Sequence, residues 1–275
     1  MDARLQRRLQ RYGWDLACND YDPLWQEQLA AARTGMLDVA SLAPGEHVLD
    51  LACGTGLVTF AAARAVGPQG KVLGTDLSGQ MVEVARTRGV EQQIPNASFL
   101  RMDAETLDLP DATFDVVLCA LGLMYLPDPQ RAVREWLRVL KPGGRVAIAV
   151  WGQRSNCGWS PVFPIVDAEV ETEVCPLFFS LGEPDALASL CRDSGFENVH
   201  QERIATILKY RDADEACDAV FVGGPVALAW SRFDPDVRAR VRARYKHAIE
   251  PWRRRQGYRI PGEFVIVAGT APTPH

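Results

Sequence analysis

Two kinds of residue in this chain could do chemistry at fixed positions: acids that close apolar runs, and glycines that break the chain just behind one of them. Val48-Leu49-Asp50-Leu51-Ala52-Cys53-Gly54-Thr55-Gly56 carries both. Gly54 and Gly56 permit backbone dihedrals closed to other residues and let a ligand approach where a Cβ would stand. A strand running through such a turn into a helix turns bare N–H groups and a positive helix end toward a ligand. Lys71-Val72-Leu73-Gly74-Thr75-Asp76 is a second apolar run closed by an acid. Asp76 follows the turn by about twenty residues, the distance at which a carboxylate accepts both hydroxyls of a ribose.

The elements that must position these residues are legible from periodicity. The run before Asp50 reads as a buried strand, and residues 57–66, apolar and alanine-rich, as a helix. A helix over 78–88 has Ser78 as its N-cap. Strands are predicted at 97–101, 114–119 and 145–151, with a helix over 129–140 stopped by Lys141-Pro142-Gly143-Gly144. Strand–helix alternation over 43–151 implies a doubly wound α/β domain with helices on both faces of a parallel sheet, its ligands at the strand C-termini. Residues 1–42 read as a helical cover with aromatic faces from Tyr12, Trp14, Tyr21 and Trp25. A Pro- and aromatic-rich segment at 152–182 lies over the site mouth. Helices are expected at 183–194, 212–222, 227–230 and 234–256, and strands at 196–210 and 263–270; Gly223-Gly224-Pro225 breaks two of the helices apart. The chain thus divides into a lid (1–42) and one domain (43–275) with a helical insert at about 211–256 lining the substrate pocket.

Composition narrows the function classes. The formal net charge of −5 gives no electrostatic footprint for nucleic acid. The basic run at 238–255 is interleaved with acids and reads as a solvated helix face. The chain has no apolar run near the roughly twenty residues needed to span a bilayer, and its polar, basic start is unlike a secretory signal, so a cytoplasmic protein is expected. Seven cysteines, an odd number without a Cys-x-x-Cys pair, and four histidines without ligand spacing argue against a disulfide framework or a metal site.

The blocks Leu49–Gly56, Asp76, Asp103-Ala104, Phe114-Asp115-Val116-Val117 and Leu140–Arg145, in this order and spacing, resemble the class I S-adenosylmethionine-dependent methyltransferases, in the broad group of the ubiquinone-biosynthesis methylases. The likeness is strong over 43–151. It implies a Rossmann-like methyltransferase fold, with a mostly parallel seven-stranded sheet, an N-terminal helical lid and a helical insert before the last strand. It also implies S-adenosyl-L-methionine as cofactor, with S-adenosyl-L-homocysteine as its product. The residues expected around the cofactor are then Tyr21 and Trp25 from the lid, the Ala52–Gly56 backbone beside the methionine moiety, and Asp76 on the ribose. Leu77 and Met81 would touch the adenine face, Asp103 and the Ala104 N–H its edge, and the Cys119 and Ala120 carbonyls the ammonium. Asp50 either orients the turn and its water or only stabilises the turn. The reaction expected is in-line transfer of a methyl group to an O, N, S or C atom of a small, partly apolar metabolite, by a monomer or homodimer.

Relatives often carry paired histidines before Leu-Pro-Asp; here Met124-Tyr125 stands there, which removes a histidine base at that spot and leaves the catalytic residues unassigned. Cys119-Ala120-Leu121-Gly122 replaces the Asn/Asp-Pro-Pro-Tyr segment of methylases acting on nucleobase or glutamine amines. The rival readings are a nicotinamide-dependent oxidoreductase, whose fingerprint would want glycine at Thr59, and a protein that binds S-adenosylmethionine without transferring its methyl group.

Overall fold

The computed structural model describes residues 3–171, 175 and 177–273; the first two residues of the expected lid, part of the 152–182 segment and His275 lie outside them. The chain runs α1 (Ala3–Trp25), α2 (Ala30–Ala40), β1 (His47–Leu51), α3 (Leu57–Val66), β2 (Lys71–Asp76), α4 (Gly79–Glu91), β3 (Ala97–Arg101) and β4 (Phe114–Ala120). It continues with α5 (Pro129–Val139), β5 (Leu140–Trp151), α6 (Val162–Asp167), α7 (Ala186–Asp193) and β6 (Glu197–Tyr210). The last elements are α8 (Ala213–Phe221), α9 (Ala227–Arg232), α10 (Pro235–Ile249), β7 (Arg253–Arg254) and β8 (Gly257–Thr270).

The strands form one sheet in the order β3-β2-β1-β4-β5-β8-β6, with the two-residue β7 paired to β8 beside that path. β1 to β5 are parallel, and β8 lies antiparallel between β5 and β6. The order reverses between β1 and β4, and such a switch point opens a crevice beyond the strand C-termini. β4 and the Val146–Trp151 stretch of β5 are buried almost without a break, as strands covered on both faces must be, whereas the edge strand β6 alternates with solvent. α3 packs on β1 and β2, α4 on β2 and β3, and α2 on β4, β5 and β8. α1 instead lies across α4, α8 and α9, at the C-terminal end of the sheet.

Three local expectations change. Lys141-Pro142-Gly143-Gly144 is not a turn ahead of a strand: β5 already starts at Leu140, opposite Phe114, and the block forms a bulge before the register resumes at Val116 and Arg145. Gly143 takes φ 73° there. The helix expected over 234–256 ends at Ile249, because Pro251 supplies no N–H to continue it and a short 3-10 turn follows. β8 begins at Gly257, earlier than the expected 263, because its first residues are paired by β6 and β7.

Candidate active site

The crevice at the switch point is a partly open cavity. Its floor is made by the loops after β1, β2, β3 and β4. The turn after β1 holds Ala52, Gly54 and Gly56 at φ 53°, 55° and 90°. At Gly56 a Cβ would also stand 2.8 Å from the Phe60 ring, so glycine is required twice over. Across the crevice, Leu121 takes φ 60°, and the following Gly122 lies so close to the first turn that a Cβ would meet that of Ala52 at 2.4 Å. Left-handed backbone at Ala52 and Leu121, neither of them glycine, is strain of the kind found where a site demands an exact loop path.

Asp76 ties the floor together. Its Oδ2 accepts the Gly54 N–H at 2.8 Å and its Oδ1 the Ser78 N–H at 2.8 Å. Each oxygen keeps a second lone pair for a ligand hydroxyl. Burial raises the carboxyl to about 6, against the Ser78 and Gly54 amides that hold it down. Ser78 caps α4 as expected, taking the Met81 N–H at 3.1 Å. After β3, Asp103 Oδ1 accepts the Glu105 N–H at 2.9 Å, while the Ala104 carbonyl is held by the Trp136 indole at 2.9 Å.

Tyr21, Trp25, Ala52, Gly54, Asp76, Leu77, Met81, Asp103 and Ala104 all line this cavity. Asp50, Gly56 and Cys119 stand behind its wall. Burial pushes the Cys119 thiol up to about 12, which leaves it no thiolate character. Asp50 reaches a narrow side chamber that shares Tyr21, Leu29, Ala52, Gly54, Ala120 and Leu121 with the main cavity. Thr59, standing where a dinucleotide fingerprint would have glycine, donates its hydroxyl to Asp50 Oδ2 at 2.5 Å. Asp50 Oδ1 is buried without a hydrogen-bond partner, and burial outweighs the Thr59 bond to raise this carboxyl to about 7. Arg33 lines the same chamber, its guanidinium donating to the Gln26 carbonyl at 2.7 Å. An unpartnered carboxylate oxygen and a guanidinium in one small chamber suit the ammonium and carboxylate of an amino acid. Sequence reasoning missed Arg33, because nothing in α2 marks it apart from any other surface arginine.

The roof comes from α1, from Tyr125 beyond the loop after β4, from Trp151 at the end of β5 and the segment after it, and from the break after α8. An unbroken run of ring contacts crosses it: Tyr21 to Trp14 at 5.7 Å, Trp14 to Tyr125 at 5.3 Å, Tyr125 to Phe178 at 5.3 Å, Phe178 to Trp159 at 5.5 Å and Trp159 to Trp25 at 5.8 Å. All of these but Phe178 line the cavity. The Trp25 indole N–H is engaged by the Ala219 carbonyl at 2.9 Å, so Trp25 offers the cavity only apolar ring. α1 is sewn to the floor at three places. Arg7 Nε lies 2.5 Å from Glu105 Oε2 and 3.1 Å from Asp103 Oδ2. Asp15 accepts the Ser78 hydroxyl at 2.6 Å, and Asp22 accepts the Thr55 hydroxyl at 2.6 Å while pairing with Arg88. Arg7 and Glu105 were not expected from sequence; the pair spans two segments that no local pattern connects.

The comparisons with known proteins agree with this geometry. Residues 48–144 match a family described as a methyltransferase domain. A demethylmenaquinone methyltransferase of Lactiplantibacillus plantarum is 35% identical over 181 residues, 59% of this chain and 75% of that protein. The aklanonic acid methyltransferase DauC of Streptomyces sp. (strain C5) is 37% identical over 134 residues; the match covers 49% of this chain and 61% of the relative. Among solved structures, that of the [4+2]-cyclase SpnF superposes with a TM-score of 0.62 at 23% identity, covering 91% of this chain and 83% of that one, and so shares the fold. With the glycine turn, Asp76 at the end of β2 and the strand order in place, and a relative matched over three quarters of its length, the chain belongs to the class I S-adenosylmethionine-dependent methyltransferases.

Proposed function

We propose that the protein transfers the methyl group of S-adenosylmethionine to a small planar acceptor, a phenol, quinol or enol, held under the aromatic roof. The observation that carries this reading is the joining of two unlike surfaces in one cavity: acids and strained backbone on the floor, rings on the roof. In it, Asp76 accepts the ribose hydroxyls, Leu77 and Met81 cover the adenine, and Asp103 takes its amino group. Asp50 and Arg33 hold the ammonium and carboxylate of the methionine moiety. The cofactor supplies a methyl carbon on a sulfonium, already activated for displacement.

The chain's own residues then align and dry the reactants. Trp14, Tyr125 and Trp159 set a flat acceptor against the floor, so that a lone pair or ring carbon forms its bond to the methyl carbon while the carbon–sulfur bond breaks and its electron pair stays on sulfur. Among the described residues lining the cavity there is no histidine, lysine or glutamate. Tyr21 and Tyr125 are buried phenols whose pKa values are raised, by burial first, so neither is a proton acceptor at neutral pH. An acceptor that loses its proton easily, or needs to lose none until after transfer, suits such a site. Relatives named for demethylmenaquinone and aklanonic acid support the same class.

The test is a panel of phenols, quinols, enols, amines and thiols incubated with S-adenosylmethionine, scored for methylated product by mass spectrometry. Product from a planar hydroxylated ring is expected. Tight binding of S-adenosylhomocysteine with no transfer to any class would instead favour a protein that keeps the cofactor as a ligand.

A further inference from the structure

Among the described residues a few buried side-chain polar atoms have no hydrogen-bond partner, and two of them belong to residues that line the cavity or its side chamber. One is Asp50 Oδ1, which the reading above gives to the cofactor. The other is Trp159 Nε1. Trp159 is 1% exposed and ringed by aromatic side chains: Trp151 at 4.8 Å, Phe178 at 5.5 Å, Phe163 at 5.6 Å, Trp25 at 5.8 Å and Phe179 at 5.9 Å. An indole N–H only donates, and a ring face is a weak acceptor. Two other buried indoles show the usual solution: Trp25 gives its N–H to the Ala219 carbonyl and Trp136 to the Ala104 carbonyl, both at 2.9 Å. Trp159 has no such carbonyl, and its backbone is pinned on both sides. The Gly158 N–H donates to the Pro261 carbonyl at 2.9 Å and the Ser160 N–H to the Cys157 carbonyl at 2.9 Å. The chain is also packed close at this point: a Cβ at Gly158 would stand 2.8 Å from the Trp252 ring.

We propose that the Trp159 indole N–H is a specificity-determining donor for the methyl acceptor, giving its hydrogen bond to a carbonyl or hydroxyl oxygen borne by the planar ring. This rests on the reading above and adds a polar requirement to a roof that otherwise selects by shape. The ring lines the cavity, and the protein supplies its N–H with no acceptor, so the bound molecule supplies one. A buried donor left unpaired penalises any ligand without such an oxygen, which turns away a hydrocarbon ring of the same outline. On a conjugated acceptor the bond has a second consequence. Where the oxygen shares the negative charge of an ionised phenol or enol, the N–H stabilises that charge, in a cavity whose described lining holds no histidine, lysine or glutamate.

Two flat bicyclic probes that differ by one carbonyl oxygen test it, 1-indanone and indane. Each is titrated by NMR into the full chain, labelled with nitrogen-15 at its seven tryptophans and loaded with S-adenosylhomocysteine. The Trp159 indole signal is identified by its absence from Trp159→Phe or from Trp159→Leu, so that one variant suffices if the other does not fold. 1-Indanone is expected to move that proton downfield, as a new hydrogen bond does, and indane to leave it nearly in place. Trp159→Phe should weaken 1-indanone about tenfold more than it weakens indane, a comparison that cancels what both probes lose with the larger ring. A Trp159 signal that stays still with 1-indanone or moves equally with indane overturns the assignment. So does an equal loss for the two probes in Trp159→Phe, or binding of neither probe to the loaded chain. Failure of S-adenosylhomocysteine to bind would overturn the cofactor reading instead, so the two ideas fail separately.

Discussion

The floor and the roof of the cavity are built by different means. Each part of the floor is a strand end and the few residues after it, held mainly by backbone: Asp76 on the Gly54 and Ser78 amides, Asp103 on the Glu105 amide, Ala52 and Leu121 in the left-handed region. The roof is assembled from α1, Tyr125, Trp151, Trp159 and Gly224-Pro225, joined through ring edges and a few ion pairs. A floor of this kind fixes one ligand by polar contacts whose loss is costly. A roof of this kind selects by shape, and its rings can be exchanged without dismantling the sheet.

The comparison breaks most readily at Asp76. Asp76→Ala removes the proposed ribose acceptor and the partner of two backbone amides together. We expect affinity for S-adenosylhomocysteine, measured by calorimetry, to fall about a hundredfold, the scale of charge-assisted hydrogen bonds to two hydroxyls. A roof substitution such as Trp14→Phe should leave that affinity nearly unchanged and act on the acceptor. If the two variants exchanged effects, the division between floor and roof would be mistaken.

The seam between the two regions is next. Glu105 is wholly buried, and its partners are Arg7 and the Asp128 N–H at 2.7 Å. Arg7→Met leaves that carboxylate without its counter-ion. The expected loss is about 2 kcal/mol of stability, below the range for fully buried pairs because the Arg7 side chain is 24% exposed. A urea titration reads it. Arg7→Met with Glu105→Gln should recover much of the loss, since no charge is then stranded.

This division also explains what the sequence made legible. The floor could be read because each of its parts is local: Leu57–Val66 and Lys71–Asp76 appear in the structure with the predicted bounds, and Ser78 caps its helix. The family likeness to the glycine turn and Asp76 carried the rest of that reading. The roof was legible only as aromatic content. Trp14 and Tyr125 come together from residues far apart in the chain, and Arg33 and Glu105 acquire their roles only when α1 and α2 dock. The errors have two causes: at Lys141–Gly144 and at 257–262 strand pairing with distant residues overrode what had been read locally, whereas the helix expected to 256 stops for a local reason, the missing N–H of Pro251.

The floor should also be sensitive to pH. Burial raises Asp76 to about 6 and Asp50 to about 7. Above 3.8, the usual value, and up to these values, the folded chain without cofactor binds more protons than the unfolded chain. Its stability therefore falls as pH rises through that window. Cofactor binding has the opposite sign, because ribose hydroxyls and an ammonium favour both carboxylates ionised. Affinity for S-adenosylhomocysteine should rise about tenfold from pH 5 to pH 7.5, with protons released on binding. Calorimetry in buffers of different ionisation enthalpy counts them. Asp76→Asn should weaken the dependence and leave the part that Asp50 carries; a dependence unchanged in Asp76→Asn would place its origin at Asp50 alone.

The smallest effect sharpens the seam. Ser78 caps α4 through its Oγ and donates the same hydroxyl to Asp15 of α1 at 2.6 Å, so one atom belongs to both regions. Ser78→Ala removes both roles and should cost about 1 kcal/mol in a thermal or urea melt, the usual scale of a lost cap. Ser78→Gly restores most of the cap, because glycine is tolerated there, but not the bond to α1. If Ser78→Gly were as unstable as Ser78→Ala, the hydroxyl would matter chiefly as a fastening for the roof, and Asp15→Ala should then reproduce the loss. If Ser78→Gly recovered nearly all the stability, the bond to Asp15 would be an exposed-edge contact of little weight. The attachment of α1 would then rest on Arg7 and on Asp22, whose partners Thr55 and Arg88 tie it to the glycine turn and to α4.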